Sequence, residues 1–166
     1  MRKKAIPLAF LLLLYTAWIC QGQVMSGAYR TMLKSLLSHS VPEITVEKAR
    51  NEKNVLFLDA REPAEYAVSH LQNAIFTGYD HFSMPAVAQI AKDTPIIVYC
   101  SVGYRSEKIA EKLISAGFTN VSNLYGGIFE WVNEDQPVFD DQGTTRKVHA
   151  YNRTWGIWLK KGKKVY

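Results

Sequence analysis

The chain has 166 residues, of which 48% are hydrophobic and 21% are charged, so it can bury one ordinary core without disulfides or metals. Its formal net charge of +5 comes from the two ends of the chain. Residues 1–22 carry three basic side chains, residues 144–166 carry seven, and neither segment carries an acidic one. Residues 23–143 carry ten basic and all fifteen acidic side chains. The acidic body excludes the basic face of a nucleic-acid-binding domain, and two cysteines, Cys20 and Cys100, exclude a disulfide framework.

Residues 1–22 have the pattern of a secretory signal peptide. A basic start at residues 2–4 precedes 14 uncharged residues, 6–19, which are fewer than the roughly 20 apolar residues that a membrane-spanning helix needs. The favoured interpretation is cleavage after Gly22. Lipidation of Cys20 and retention of the segment as a membrane anchor are the alternatives. All three predict an exported domain, in the periplasm or cell envelope.

The elements that follow alternate between helices and strands. Residues 23–43 contain an amphipathic helix, because apolar side chains recur at helical spacing, and Thr45 can cap a short helix that ends at Arg50. Short apolar runs bounded by polar residues predict buried strands, and periodic stretches predict the helices between them. The strands are residues 55–60, 74–79, 95–100 and 120–125, and the helices are residues 62–70, 84–91, 105–116 and 126–132.

This alternation predicts an α/β fold in which helices cover both faces of a mainly parallel sheet. The helix over residues 105–116 has the clearest pattern, and Gly117 ends it. Its apolar side is expected to contain Ile109, Ala110, Leu113 and Ile114. Ligands of such sheets bind at the carboxyl ends of the strands, and Cys100 stands at one of these ends.

The segment "YCSVGYRS" joins a predicted strand directly to a predicted helix. Gly103 permits a tight reversal, after which successive N–H groups and the helix dipole favour an anion in the loop. A thiol there favours its thiolate form, and Arg105 can grip an anionic substrate through two hydrogen bonds. We therefore interpret Cys100 as a nucleophile. The alternative is that it is a small buried hydrophobe.

Three segments resemble rhodanese-type sulfurtransferases. "YCSVGYRS" is similar to the active-site loop C-[RQ]-x-G-x-R-[ST], and residues 55–75 are similar to the stretch D-x-R-x-x-x-E-[FY]-x-x-G-H-[IL]-x-G-A. "LYGGIFEW" resembles the ending L-x-G-G-x-x-x-W. Together they cover about residues 44–137, in the order of the family. The resemblance implies a single rhodanese-like three-layer domain, preceded by the helix in residues 23–43 and followed by a basic aromatic tail, residues 138–166.

The resemblance also implies a chemistry. A persulfide forms on Cys100 by attack on a donor such as thiosulfate, and its sulfur passes to a thiol or to cyanide. The substrate-binding residues implied are Ser101, Val102, Gly103, Tyr104, Arg105 and Ser106. This implies a small sulfur donor and a thiol acceptor as partners, no nucleic acid and no cofactor. Three residues depart from the pattern: Ser101 stands in place of Arg or Gln, and Ser69 and Asn73 stand in place of glycines.

Other polar residues receive structural interpretations. Asp59 and Arg61 sit at a strand end and could line the pocket. The favoured expectation is that they brace the loop, through an ion pair or hydrogen bonds, because the family resemblance implies this and a lone carboxylate would oppose thiolate formation. His70 is interpreted as structural rather than as a general base, because nothing in the sequence pairs it with Cys100, and Trp131 is interpreted as a core residue. The histidines show no metal-ligand spacing, so no metal site is predicted.

Two other functions compete with the sulfurtransferase. A cysteine phosphatase or arsenate reductase shares the anion-binding loop, but Tyr99 replaces the histidine of its motif and the loop is one residue too short. An exported rhodanese-like binding module with little turnover is the second alternative, and activity of the isolated domain distinguishes it.

The tail carries an aromatic pattern of its own. Val148, Tyr151, Trp155 and Trp158 have the 3-4-3 spacing of one helix face, although Gly156 weakens that helix. The favoured expectation is a helix that packs on the body. The alternative is an interfacial helix that contacts an anionic membrane surface.

Overall fold

The computed structural model describes residues 26–166. The predicted signal segment and the question of lipidation at Cys20 lie outside the described residues. Within residues 26–166, no helix is both long enough and apolar enough to span a membrane.

A five-stranded parallel sheet forms the centre of the fold, in the order β1-β5-β4-β2-β3. Its central strand, β4, is buried along its whole length, and its residues alternate between two hydrophobic clusters. Ile97 and Tyr99 face one cluster, whereas Ile96 and Val98 face the other. Both faces of the sheet are therefore covered, which confirms the predicted three-layer α/β fold. The strands are β1 (Glu43–Ile44), β2 (Leu56–Asp59), β3 (Ile75–Phe76), β4 (Ile96–Tyr99) and β5 (Val121–Leu124).

The helices begin where the sequence offers caps. Ser26 accepts a hydrogen bond from the N–H of Tyr29 at the start of α1, and Thr45 accepts one from Lys48 at the start of α2. Pro63 occupies the first turn of α3, where its missing N–H costs nothing. The helices are α1 (Gly27–Leu36), α2 (Val46–Ala49), α3 (Pro63–Val68), α4 (Tyr104–Ser115) and α5 (Gly127–Asn133), with a 3₁₀ turn at Met84–Val87.

The predicted apolar side of α4 is wrong at one position. Ile109, Ala110 and Leu113 are fully buried, but Ile114 is 40% exposed. Ile114 lies one residue before the end of α4 and is rotated by about 100° from Leu113. The helix therefore directs Leu113, rather than Ile114, into the core.

The tail is not the single helix that its spacing predicts. Val148 belongs to β8, which pairs in parallel with β9, and Tyr151 has a φ of +63°, which no right-handed helix contains. The tail packs on the body as expected, since Val148 is fully buried and Trp158 stacks on Tyr29 with ring centroids 5.2 Å apart. Its elements are β6 (Val138–Asp140), β7 (Gly143–Thr145), β8 (Lys147–His149), a 3₁₀ turn (Trp155–Trp158) and β9 (Lys163–Val165).

Candidate active site

Cys100 lies directly after the central strand, at the carboxyl end of the sheet. Its side chain is almost completely buried, with 1% of the residue exposed. The N–H of Gly103 donates a hydrogen bond to Sγ over 3.1 Å, from a residue whose φ of +117° suits glycine alone. The loop thus turns back on its own cysteine and directs a backbone donor at the sulfur.

The carbonyls of the loop face helix α5. The N–H of Ile128 donates to the carbonyl of Cys100 over 2.9 Å, and the N–H of Phe129 donates to the carbonyl of Ser101 over 3.2 Å. Gly127 makes this approach possible, because a Cβ there would lie 2.3 Å from the carbonyl oxygen of Cys100. The Gly-Gly pair of the sequence therefore holds the active-site loop in place.

With its carbonyls bound, the loop keeps backbone donors free. Within residues 26–166, the backbone N–H groups of Ser101 and Val102 make no hydrogen bond, and the two residues are 4% and 6% exposed. Buried donors are almost always paired. We interpret these two as the start of the predicted anion-binding nest.

A second set of contacts holds Gly103. The side chain of Asn123 donates to its carbonyl over 3.0 Å. Ser106 donates to the same carbonyl over 3.1 Å, and its hydroxyl also lies 2.7 Å from Oδ1 of Asn123. Ser106 is fully buried and contacts the loop through the carbonyl of Gly103, and its predicted role in substrate binding stays a prediction. Sequence reasoning missed Asn123, which no motif marks.

Arg105 does not present a free guanidinium. It donates two hydrogen bonds to Glu65, from Nη1 to Oε2 over 2.7 Å and from Nη2 to Oε1 over 2.8 Å. Ser101 completes the network, because its hydroxyl donates to Glu65 over 2.8 Å and accepts from Arg105 over 3.0 Å. The sequence predicts that Arg105 binds an anionic substrate. In the structure its guanidinium is already paired with Glu65.

The electrostatics of this pair hold both partners charged. Burial alone would raise the pKa of Glu65, but the hydrogen bonds and charge of Arg105, the N–H of Glu62 and the hydroxyl of Ser101 together lower it below its ordinary value. Burial would lower the pKa of Arg105, and Glu65 raises it instead. Sequence reasoning placed Glu65 in register with the family motif but gave it no role in the site.

Asp59 and Arg61 form an ion pair whose two side chains are completely buried. The guanidinium donates from Nε and Nη2 to the Asp59 carboxylate, and from Nη2 to the carbonyl of Ser69 over 2.6 Å. The pair therefore ties the end of β2 to the chain after α3, and its predicted role in bracing the site stays a prediction.

Ser69 and Asn73 replace two glycines of the family pattern, and the backbone conformation at each position accepts the replacement. Ser69 has an extended backbone with a φ of −175°, which any residue adopts. Asn73 has a φ of +56°, and asparagine tolerates this left-handed conformation better than most residues. Neither position needs the glycine of the family pattern.

A pocket of about 370 Å³ opens above Cys100. Its floor is formed by three buried residues, Cys100, Ser101 and Val102, and Val102 is the most exposed of them at 6%. Tyr104 stands at the rim and is 42% exposed, so it is both a pocket residue and an exposed aromatic. The remaining lining residues are Leu36, Glu62, Tyr79, Asp80, Arg105, Tyr151 and Trp155.

The histidines take no part in this pocket. The ring of His70 stacks on Tyr66 with centroids 4.1 Å apart, and its Nδ1 lies 3.2 Å from the carbonyl of Tyr66. His39 pairs with Glu43. Among residues 26–166, no group of three or more His, Cys, Asp or Glu side chains could hold a metal ion.

The model of the rhodanese-like domain matches residues 44–134, which is more than half of the chain. The chain belongs to the rhodanese-like family. Solved rhodanese-like folds agree: a Bacillus halodurans protein superposes with a TM-score of 0.53 at 24% identity, covering 70% of this chain and 86% of that one. The rhodanese-like domain of an Anabaena protein gives a TM-score of 0.55, also at 24% identity, covering 60% and 79%.

Curated relatives of this rhodanese-like chain are larger proteins. The tRNA uridine(34) hydroxylase of Photorhabdus laumondii is 36% identical over 94 residues, which is 54% of this chain but 27% of that protein. Its counterpart in Buchnera aphidicola is 35% identical over 94 residues and is covered for 29% of its length. The chain thus spans less than a third of each relative.

Proposed function

We propose that this rhodanese-like chain is a sulfurtransferase. It passes sulfane sulfur from a donor such as thiosulfate to a thiol or cyanide acceptor through a persulfide on Cys100. One observation carries the proposal: Cys100 lies at the floor of an open pocket, with the N–H of Gly103 directed at its sulfur. A cysteine that served only as a core residue would need neither the pocket nor the donor.

The first half-reaction is a displacement at sulfur. The Cys100 thiolate attacks the outer sulfur of thiosulfate, a new S–S bond forms, and sulfite leaves with the electron pair of the bond that breaks. In the second half-reaction an acceptor thiolate attacks the outer sulfur of the persulfide. The Cys100 thiolate then leaves, and the acceptor carries the sulfur away as its own persulfide.

The loop stabilises the charge that these steps move. The N–H of Gly103 already contacts Sγ, and the unpaired N–H groups of Ser101 and Val102 supply further donors for the outer sulfur of the persulfide. Such preorganised donors act where negative charge develops and need no rearrangement during the reaction. Gly127 positions the loop by letting the N–H groups of Ile128 and Phe129 reach its carbonyls. Asn123 positions it by donating to the carbonyl of Gly103.

The experiment that tests the proposal is a loading reaction. Residues 23–166 are incubated with thiosulfate or with a low-molecular-weight persulfide, freed of excess donor, and weighed intact beside Cys100→Ser. We expect the wild type to gain one sulfur atom, about 32 Da, and the variant to gain none. Equal masses before and after treatment, with every donor, would contradict the proposal.

The paired state of Arg105 favours a second candidate, a rhodanese-like binding module with little turnover. In that function the domain binds a partner through the pocket rims, and Cys100→Ser leaves binding intact. The loading reaction separates the two candidates, because a pure binding module does not retain sulfur on Cys100. The loop of four residues between Cys100 and Arg105, and Tyr99 in place of a histidine, disfavour a cysteine phosphatase or arsenate reductase.

We also propose that the domain acts after export, with small thiols rather than nucleic acid as partners. The basic start and short apolar run of residues 1–22 support export, and the pocket carboxylates Glu62 and Asp80 disfavour a phosphate backbone. Cell fractionation tests the location: the protein is expected outside the cytoplasm, and a purely cytoplasmic protein would contradict it.

A further inference from the structure

The pocket above Cys100 has an unusual charge for a site that would take thiosulfate. Its charged lining residues are Glu62, Asp80 and Arg105, and Glu65 lies directly behind Arg105. Three carboxylates therefore accompany one guanidinium, which leaves a formal charge of −2. A dianionic donor or an anionic acceptor would enter against this charge.

The single positive charge already has carboxylate partners. Arg105 binds Glu65 through two hydrogen bonds, and Oε1 of Glu62 lies 3.8 Å from its Nη1. The ring of Tyr151 covers the guanidinium, with its centroid 5.1 Å from Cζ. A substrate carboxylate at Arg105 would therefore meet a guanidinium whose charge Glu65 and Glu62 already compensate.

Ser101 offers no replacement for this charge. Its hydroxyl is neutral and spans Glu65 and Arg105 with two hydrogen bonds. Lys112 lies near the ring of Tyr79, but it lines a separate groove with Phe82 and Met84. The pocket mouth thus lacks an unpaired cation among the residues that line it.

The rest of the lining suits a cation. Tyr104 and Trp155 present aromatic rings at the pocket, and aromatic faces attract ammonium groups. Asp80 is exposed at the same mouth, and the Glu62 side chain is 35% exposed. Aromatic rings beside carboxylates are the chemistry that recognises an ammonium group.

Part of this lining comes from outside the rhodanese-like domain. Tyr151 and Trp155 belong to the tail and Leu36 ends α1, whereas the family match covers residues 44–134. The loop that holds Cys100 is common to the family, and the flanking segments of this chain narrow the pocket above it. The flanking segments therefore add apolar and aromatic side chains beside Glu62 and Asp80, which belong to the matched domain.

We propose that this site selects sulfur acceptors that carry a positive charge near the thiol, and that Glu62 and Asp80 are its specificity-determining residues. The inference rests on the proposed function, because it names the acceptor class of the same persulfide. An aminothiol enters with its ammonium group at the mouth and its thiolate at the outer sulfur of Cys100. That thiolate forms the new S–S bond as the Cys100 thiolate leaves.

The test compares two thiols of similar size and opposite charge, cysteamine and 3-mercaptopropionate. The protein is loaded with sulfur, freed of donor, and mixed with either thiol at neutral pH. Loss of about 32 Da from the protein gives the rate of transfer to each. The preference is the ratio of the cysteamine rate to the 3-mercaptopropionate rate.

The variants Glu62→Gln, Asp80→Asn and their double are compared with the wild type, so differences in the intrinsic reactivity of the two thiols cancel. Gln at position 62 keeps an oxygen that can cap α3. We expect each removed carboxylate to lower the preference by about two- to fivefold, the range of a solvent-exposed charge pair.

Added salt should lower the wild-type preference more than that of the double variant. The control is Asp93→Asn, which removes an exposed carboxylate outside the pocket lining and should leave the preference unchanged.

Three results decide the proposal. A preference that falls in the pocket variants and not in Asp93→Asn supports it. Sulfur transfer with the same preference in the wild type and the double variant overturns it while leaving the sulfurtransferase intact. Failure of the wild type to take up sulfur from any donor overturns the proposed function, and this inference with it.

Discussion

The domain contains two arginine–carboxylate pairs at different depths. Asp59–Arg61 is completely buried, whereas Glu65–Arg105 borders the pocket, where the Arg105 side chain is 14% exposed. Both arginines donate more than one hydrogen bond to their carboxylates. The inner pair connects two segments of backbone, and the outer pair sets the charge beside Cys100. The same side-chain chemistry thus supports the fold in one place and the pocket in the other.

Breaking the inner pair should have the largest effect. Arg61→Leu leaves the Asp59 carboxylate buried without its cation and removes the hydrogen bond to the carbonyl of Ser69. We expect the free energy of unfolding to fall by about 3–5 kcal/mol, measured by urea denaturation. Asp59→Asn combined with Arg61→Leu is the matched control and should recover part of the loss. An unchanged midpoint for Arg61→Leu would show that the pair does not brace the fold.

Breaking the outer pair should cost less stability and change specificity. Glu65→Gln keeps the shape of the side chain but removes the carboxylate that binds Arg105 through two hydrogen bonds. We expect a loss of about 1–3 kcal/mol and a shift of the acceptor preference towards 3-mercaptopropionate, measured by denaturation and by single-turnover transfer. If stability falls without any shift in preference, Arg105 does not sense the charge of the acceptor.

The pH dependence of stability sharpens the same distinction. Because the folded-state pKa of Glu65 lies below its ordinary value of about 4.3, its contribution is fully present above that value. The contribution is lost as pH falls through the lower, folded-state pKa. The stability difference between the wild type and Glu65→Gln should therefore be constant from neutral pH to about 5 and shrink in stronger acid. Denaturation at a series of pH values measures this difference. A stability difference that grows in acid would contradict the lowered pKa of Glu65.

The smallest effect is expected at Tyr151. Its ring covers Arg105 from the tail, is 47% exposed and belongs to a residue with a φ of +63°. Tyr151→Asn removes the cation–π contact, worth about 0.5–1 kcal/mol, and relieves backbone strain, because asparagine accepts this conformation more readily. The two effects oppose each other, so we expect thermal unfolding to change by about 0.5 kcal/mol or less. A large loss would show that Tyr151 supports the fold rather than the pocket.

Sequence reasoning reached those parts of the site that are local in the chain. The loop from Cys100 to Arg105 joins a strand to a helix within a few residues, so its geometry follows from Gly103 and from the order of the elements. Asp59 and Arg61 are two residues apart, so their pairing could be expected from their opposite charges together with the family resemblance.

Parts of the site that depend on distant segments could not be found in this way. Glu65 and Arg105 are 40 residues apart in the chain. Their pairing depends on the contact between α3 and α4, which no local pattern in the sequence indicates. In the tail, the 3-4-3 spacing of apolar residues fits a helix, but β8 and β9 pair instead. The spacing of apolar residues does not show whether a segment's backbone N–H and C=O groups bond within a helix or to another strand.

The most direct test of the central claim follows one sulfur atom through both half-reactions. Cys100 is loaded from a donor whose outer sulfur is isotopically labelled, the donor is removed, and cysteamine is added with an alkylating trap for persulfides. The account predicts that the label leaves the protein and appears in the trapped cysteamine persulfide, with no labelled product from Cys100→Ser. Label that stays on the protein, or that never binds to it, would contradict sulfur transfer by this chain.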